Sequence, residues 1–185
     1  CHPDLSRVIK EVPMRRIALL SLFTAIALIL SLVDSALPPL LPVPGVRLGL
    51  ANVVTLILLF AVRSRDAFLV LILRIILASV FAGQGMSFLY SLVGGLLCFL
   101  VIYLLGRLLR HSFVILVSMC GALTHNVGQL LVALWITQAP SILAYAPILV
   151  LSALLTGAFT GLCAMFSLRY LKPLFKSYGD FPKTF

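Results

Sequence analysis

Six continuously apolar stretches follow one another along the chain, near residues 17–33, 46–62, 67–82, 88–105, 113–136 and 142–168. None shows the apolar-polar alternation of a membrane strand, so the runs are predicted to be helices. The breaks between them are plain. Asp34 and the segment Ala36 to Gly45, which holds Pro38, Pro39, Pro42 and Pro44, end the first run, and Arg63-Ser64-Arg65-Asp66 ends the second. Gly83-Gln84-Gly85 closes the third, Arg107 to His111 the fourth, and Gln138-Ala139-Pro140 the fifth. At about 20 residues per crossing of a ~30 Å hydrocarbon layer, the pattern predicts six transmembrane helices joined by short loops. The second and third runs are short, at ~16 residues or ~24 Å by helix rise. A tilted or partly re-entrant course is the alternative reading for these two.

Composition narrows the class. Of the 185 residues, 62% are hydrophobic and 10% charged, whereas soluble domains are about a quarter charged. The expected fold is an all-α integral membrane protein, a six-transmembrane-helix bundle forming one domain over 1–185, with polar tails at 1–13 and 173–185. Fourteen Lys and Arg against five Asp and Glu give a formal net charge of +9, a balance that in a soluble chain would suggest nucleic acid. Here Arg7, Lys10, Arg15, Arg16, Arg63, Arg65, Arg107, Arg110, Arg169, Lys172, Lys176 and Lys183 all fall on one side of a six-span bundle. By the positive-inside rule that side is the cytoplasm, with both termini inside and the chain in the cytoplasmic membrane. The charge thus reports topology, and no nucleic acid partner is expected. The first run lacks a small-residue cleavage site and is followed by further spans, so it reads as a helix and not a secretory signal.

Only Arg47 and Arg74 stand apart from this topology. Arg74 lies near the middle of its run, where an arginine costs about 2.5–3.5 kcal/mol on insertion scales unless it faces protein, water or ligand. Arg47 sits at the outer mouth of the second run, and Asp34 is the one carboxylate expected on that side. Two cations facing one anion would suit a negatively charged ligand. The competing reading has Asp34 clasping Arg47 while Arg74 donates to carbonyls where helices break. In the fifth run His125, Asn126 and Gln129 fall within about one helical turn, a spacing that brings them toward one face. With Arg47, Asn52 and Arg74 they form the candidate ligand-binding set, and Asp34, Thr55, Gln84 and Tyr90 are candidate lining residues.

Catalysis finds little support. Diphosphate chemistry with magnesium needs clustered carboxylates, and no two acids here lie within four residues of one another. There is no P-loop, no assignable nucleophile constellation and no metal-ligand spacing, so the expectation is no catalytic residue, no metal site and no cofactor that the residues identify. Cys98, Cys120 and Cys163 lie singly in apolar runs and read as small hydrophobes. Small residues recur at helical spacing at Ala18, Ser21 and Ala25 in the first run and at Ala153, Gly157 and Gly161 in the sixth. Such stripes let helix backbones approach closely, either within the bundle or against a partner subunit.

The stretch Pro44-Gly45-Val46-Arg47-Leu48-Gly49-Leu50-Ala51-Asn52-Val53-Val54-Thr55-Leu56 resembles the signature of the bacterial Gx transporter family, also labelled heptaprenyl diphosphate synthase component I. Leu73-Arg74-Ile75, Ser91-Leu92-Val93-Gly94-Gly95 and Ala122 to Leu130 support the resemblance, which runs from about residue 14 to about residue 170. That family is in turn similar to the substrate-binding S components of energy-coupling factor (ECF) vitamin transporters. The resemblance implies a bacterial inner-membrane bundle that binds a vitamin, flavin, quinone or prenyl-type molecule from outside. It also implies partners: a transmembrane coupling subunit with ATPases, electron-transfer proteins, or the catalytic subunit of a prenyl synthase. In that picture the proline-rich loop covers the ligand and the small residues of the first helix meet the coupling subunit.

Overall fold

The computed structural model describes residues 5–36, 49–82, 85–109 and 113–176. Among them lie six α-helices: α1 (Leu5–Ala36), α2 (Asn52–Ala61), α3 (Ser64–Ala82), α4 (Gly85–Leu109), α5 (Val114–Thr137) and α6 (Ala146–Lys176). A 3-10 turn over Pro140–Tyr145 leads into α6, and the described residues contain no strand. Four stretches are long and apolar enough to cross a membrane: Arg16–Ala36, Gly85–Leu109, Val114–Thr137 and Pro140–Leu171.

The second run, for which a re-entrant course is the alternative to a crossing, forms a short helix. α2 has ten residues, about 15 Å by helix rise and half the thickness of a hydrocarbon layer. All but Val53 are buried, so this run is apolar because protein surrounds it. Its start is set by a turn in which the N–H groups of Asn52, Val53 and Val54 donate to the carbonyls of Gly49, Leu50 and Ala51. Its end is set by Val62, extended at φ −132° and ψ −176°. Residues 46–48 of the expected run lie outside the described residues, as does the proline-rich loop over 37–45.

α3 spans 19 residues and takes Ser64, Arg65 and Asp66 into its first turn, where a carboxylate suits the positive end of the helix. It therefore starts earlier than the expected 67–82. Arg65, Asp66 and Arg74 give it three charged residues, more than any of the four spanning stretches carries. α1 and α6 outrun their apolar cores, with 32 and 31 residues, so parts of both expected tails, 5–13 and 173–176, are helical.

α5 packs most extensively, against α4 on one side and α6 on the other, while α1 lies on α3 and α2 sits against α6 and α3. The approach of α5 to its neighbours is set by glycine. A Cβ at Gly128 would lie 2.9 Å from the Cα of Gly94 on α4, and Cβ atoms at Gly157 and Gly161 would lie 2.7 and 2.8 Å from the Cα atoms of Met119 and Ile115. The small-residue stripe of α6, with Ala153 also buried, is thus used inside the bundle. Ala18, Ser21 and Ala25 of α1 remain exposed. At the level of Ser118 and Thr160 a hydroxyl-hydroxyl hydrogen bond of 2.8 Å joins α5 to α6.

Two apolar clusters occupy the two ends. The larger contains Phe23, Leu56, Leu58, Phe60, Val70, Ile102, Val117 and Leu168; the smaller contains Tyr90, Val132, Ala133 and Leu149. The larger lies toward the basic end, where Arg16 binds Asp66 through both carboxylate oxygens at 2.6 and 2.8 Å. This fork ties α1, about three turns into the helix, to the first turn of α3. Between the clusters, along α5, fall His125, Asn126 and Gln129.

Candidate functional site

Polar side chains from α1, α2, α3 and α5 converge in the band between the two apolar clusters. Arg74 projects from α3 and is 6% exposed. One terminal nitrogen donates to the Asn52 side-chain oxygen at 2.8 Å and the other to the Ser31 hydroxyl at 3.5 Å. The guanidinium therefore bridges the first residue of α2 and the last turns of α1. Three turns of sequence that share no local pattern meet at one cation.

The turn before α2 is held in the same place. Asp34, buried near the end of α1, accepts the Gly49 N–H at 2.8 Å. Gly49 has φ +80°, a left-handed conformation that costs glycine little and other residues more. A Cβ there would also lie 2.9 Å from the Asn52 side-chain nitrogen and 3.2 Å from the His125 ring. On the opposite side of that ring, a Cβ at Gly94 would lie 2.9 Å from the His125 carbonyl oxygen and 3.0 Å from Nδ1. His125 is thus set between the Gly49 turn and the α4 backbone, at positions where only glycine leaves room for it.

The remaining candidates divide. Gln129, one turn after His125 on α5, is fully buried, and Thr55 is buried one turn after Asn52. Asn126 is turned the other way, donating from Nδ2 to the Leu149 carbonyl of α6 at 3.0 Å. Tyr90 belongs to the smaller apolar cluster with Val132 and Leu149. Arg47 and Gln84 lie outside the described residues. Sequence reasoning passed over Ser31, Gly49 and Gly94, and also Ser87, which is 2% exposed and whose hydroxyl has no hydrogen-bond partner among the described residues. A buried orphan hydroxyl calls for a specific explanation, and here it opens α4, the helix that carries Tyr90 and Gly94. Among the described residues no group of three or more His, Cys, Asp or Glu is arranged to hold a metal ion.

Chemically, the cluster offers a fixed cation, neutral donors and acceptors and a histidine ring, enclosed by apolar helices. That is a set suited to hydrogen-bonding a polar or anionic group. A family model described as heptaprenyl diphosphate synthase component I matches residues 23–167, a stretch that contains every described residue of this cluster. No curated protein sequence and no solved structure matches the chain.

Proposed function

Because this chain belongs to the heptaprenyl diphosphate synthase component I family, we propose that it is a non-catalytic membrane subunit that works with partner proteins. In this reading the cluster around Arg74 binds an anionic or amphipathic small molecule, of vitamin, flavin, quinone or prenyl type, and the bundle passes it across the bacterial cytoplasmic membrane with the basic end inside. The observation that carries it is the burial of Arg74 at mid-bundle, bonded to Asn52 and Ser31 on two other helices. An arginine placed there costs folding energy in a membrane, and ionisable residues kept inside membrane bundles mark substrate and ion pathways. The kinship to ECF S components belongs to this proposal too, and with it a coupling subunit and ATPases as partners.

A second reading is favoured by the family's name, which describes one component of a synthase. There the chain would present a prenyl diphosphate to a separate catalytic subunit, or serve as a membrane subunit of flavin or quinone electron transfer. One experiment separates these readings. The gently purified chain is denatured, and the released small molecules are identified by mass spectrometry after a visible spectrum is recorded. A compound that is neither a redox carrier nor a prenyl diphosphate supports transport; a flavin or quinone supports electron transfer only where it is reduced and reoxidised while bound, and a prenyl diphosphate supports the synthase role only where an added catalytic subunit consumes it. Release of nothing but bulk lipid would refute ligand binding by the cluster.

A further inference from the structure

A second feature lies away from Arg74, at the basic end between α3 and α4. Ser64, Arg65, Phe68, Leu69, Phe99 and Tyr103 line an open-sided cleft of about 470 Å³, within the range of about 300–1,000 Å³ typical of small-molecule sites. Its floor is aromatic: Phe68 meets Phe99 edge-on at 5.4 Å, and Phe99 lies parallel to Tyr103 at 6.5 Å. The Arg107 guanidinium stands over the Tyr103 ring at 5.2 Å, a cation-π contact that holds it beside the cleft. Arg65 and Arg107 are both exposed, and neither forms an ion pair with a described residue. The two carboxylates whose side chains are described are engaged elsewhere, Asp66 by Arg16 and Asp34 by the Gly49 N–H. The cleft thus combines an apolar trough with two exposed cations that have no ion-pair partner among the described residues.

We propose that this cleft is a binding site for an anionic phospholipid of the leaflet at the basic end, with its phosphate engaged by Arg65 and Arg107 and one acyl chain lying along Phe68, Leu69 and Phe99. Charge complementarity selects an anionic headgroup, and the apolar trough selects a lipid over a free anion. Arginine suits the role because its planar fork grips phosphate oxygens in pairs. The proposal is independent of the Arg74 cluster and stands whether or not that cluster binds a ligand.

The test is native mass spectrometry of the delipidated full chain in detergent, titrated with equal dioleoyl-phosphatidylglycerol and dioleoyl-phosphatidylcholine. An arginine near an anionic surface contributes about five-fold, so a preference for phosphatidylglycerol of up to about thirty-fold is expected. It should vanish in Arg65→Gln/Arg107→Gln and persist in Arg169→Gln, which removes an exposed cation of α6 outside the cleft. Leu69→Trp keeps both arginines, fills the trough and should reduce retention of the tight-binding lipid, which gives a readout even where the double variant does not fold. Equal retention of both lipids by the wild type would overturn the proposal. So would full displacement by millimolar inorganic phosphate, which would mean an anion site without a tail. A dimer that dissociates in the double variant would assign the face to a second copy of the chain and would equally overturn it.

Discussion

Replacing Gly94 by alanine tests whether the α4-α5 crossing is set at backbone contact. The added Cβ would lie 2.9 Å from the His125 carbonyl oxygen, half an ångström inside the 3.4 Å at which ordinary contact begins. The obstacle is main chain, so no rotamer change relieves it, and the two helices must separate. Overpacking of this kind costs about 1–3 kcal/mol, against a gain of about 0.5–1 kcal/mol from replacing glycine inside a helix. A net loss of about 0–2.5 kcal/mol follows, centred near 1 kcal/mol. Gly106 on the same helix is the internal control, because its Cβ would meet only the tip of the Phe60 ring at 3.4 Å. Gly106→Ala should therefore be neutral or stabilising. The assay is unfolding by sodium dodecyl sulfate in mixed micelles, followed by helical circular dichroism. If the two variants unfold within about 0.5 kcal/mol of each other, the usual spread of inconsequential substitutions, the close crossing is refuted, and with it the socket assigned to His125.

Three further outcomes follow from the contacts. Arg16→Gln leaves the buried Asp66 carboxylate without its bidentate partner; because Arg16 itself is 38% exposed, the loss should be about 1–2 kcal/mol, below that of a fully buried pair, in the same unfolding assay. Ser118→Ala removes the hydrogen bond to Thr160 and should cost about 0.6 kcal/mol, the average for interhelical hydrogen bonds in membranes; a cost several times larger would mean that this contact, and not glycine packing, holds α5 to α6. Asn126→Ala should lower stability by about 1 kcal/mol and leave ligand affinity unchanged, since its amide nitrogen serves the Leu149 carbonyl; a matching loss of affinity would return Asn126 to the ligand site.

The helices long enough to cross a bilayer from one polar break to the next were the legible ones. α4 and α5 follow their apolar runs closely, because there the run length is dictated by the bilayer and the polar breaks fall at its surfaces. In the sequence α2 stays open between a crossing and a re-entrant course, because protein on all sides makes a ten-residue helix as apolar as a spanning one. The individual importance of Arg74 and Asn52 was visible from the cost of polar groups in lipid, yet their hydrogen bond was not, since it depends on how α2 enters the bundle. His125 and Gln129, four apart, share a face as spacing predicts. Asn126 is one residue on from His125, about 100° around the helix, and that rotation was enough to turn it to α6. Gly49 and Gly94 carried no signal of their own, because a glycine in an apolar run shows its purpose only when the backbone it admits is known.

The central claim is that Arg74 grips the anionic group of a small molecule. The most direct measurement is the affinity of the purified chain, and of Arg74→Gln, for the compound released from the wild type, with circular dichroism showing that both are folded. Loss of a charged hydrogen-bonding group should weaken binding by about 1.5–3 kcal/mol, or roughly 10- to 150-fold, with partial recovery in Arg74→Lys. Equal affinity in folded wild type and Arg74→Gln would contradict the account and reduce Arg74 to a structural clamp between α1 and α2.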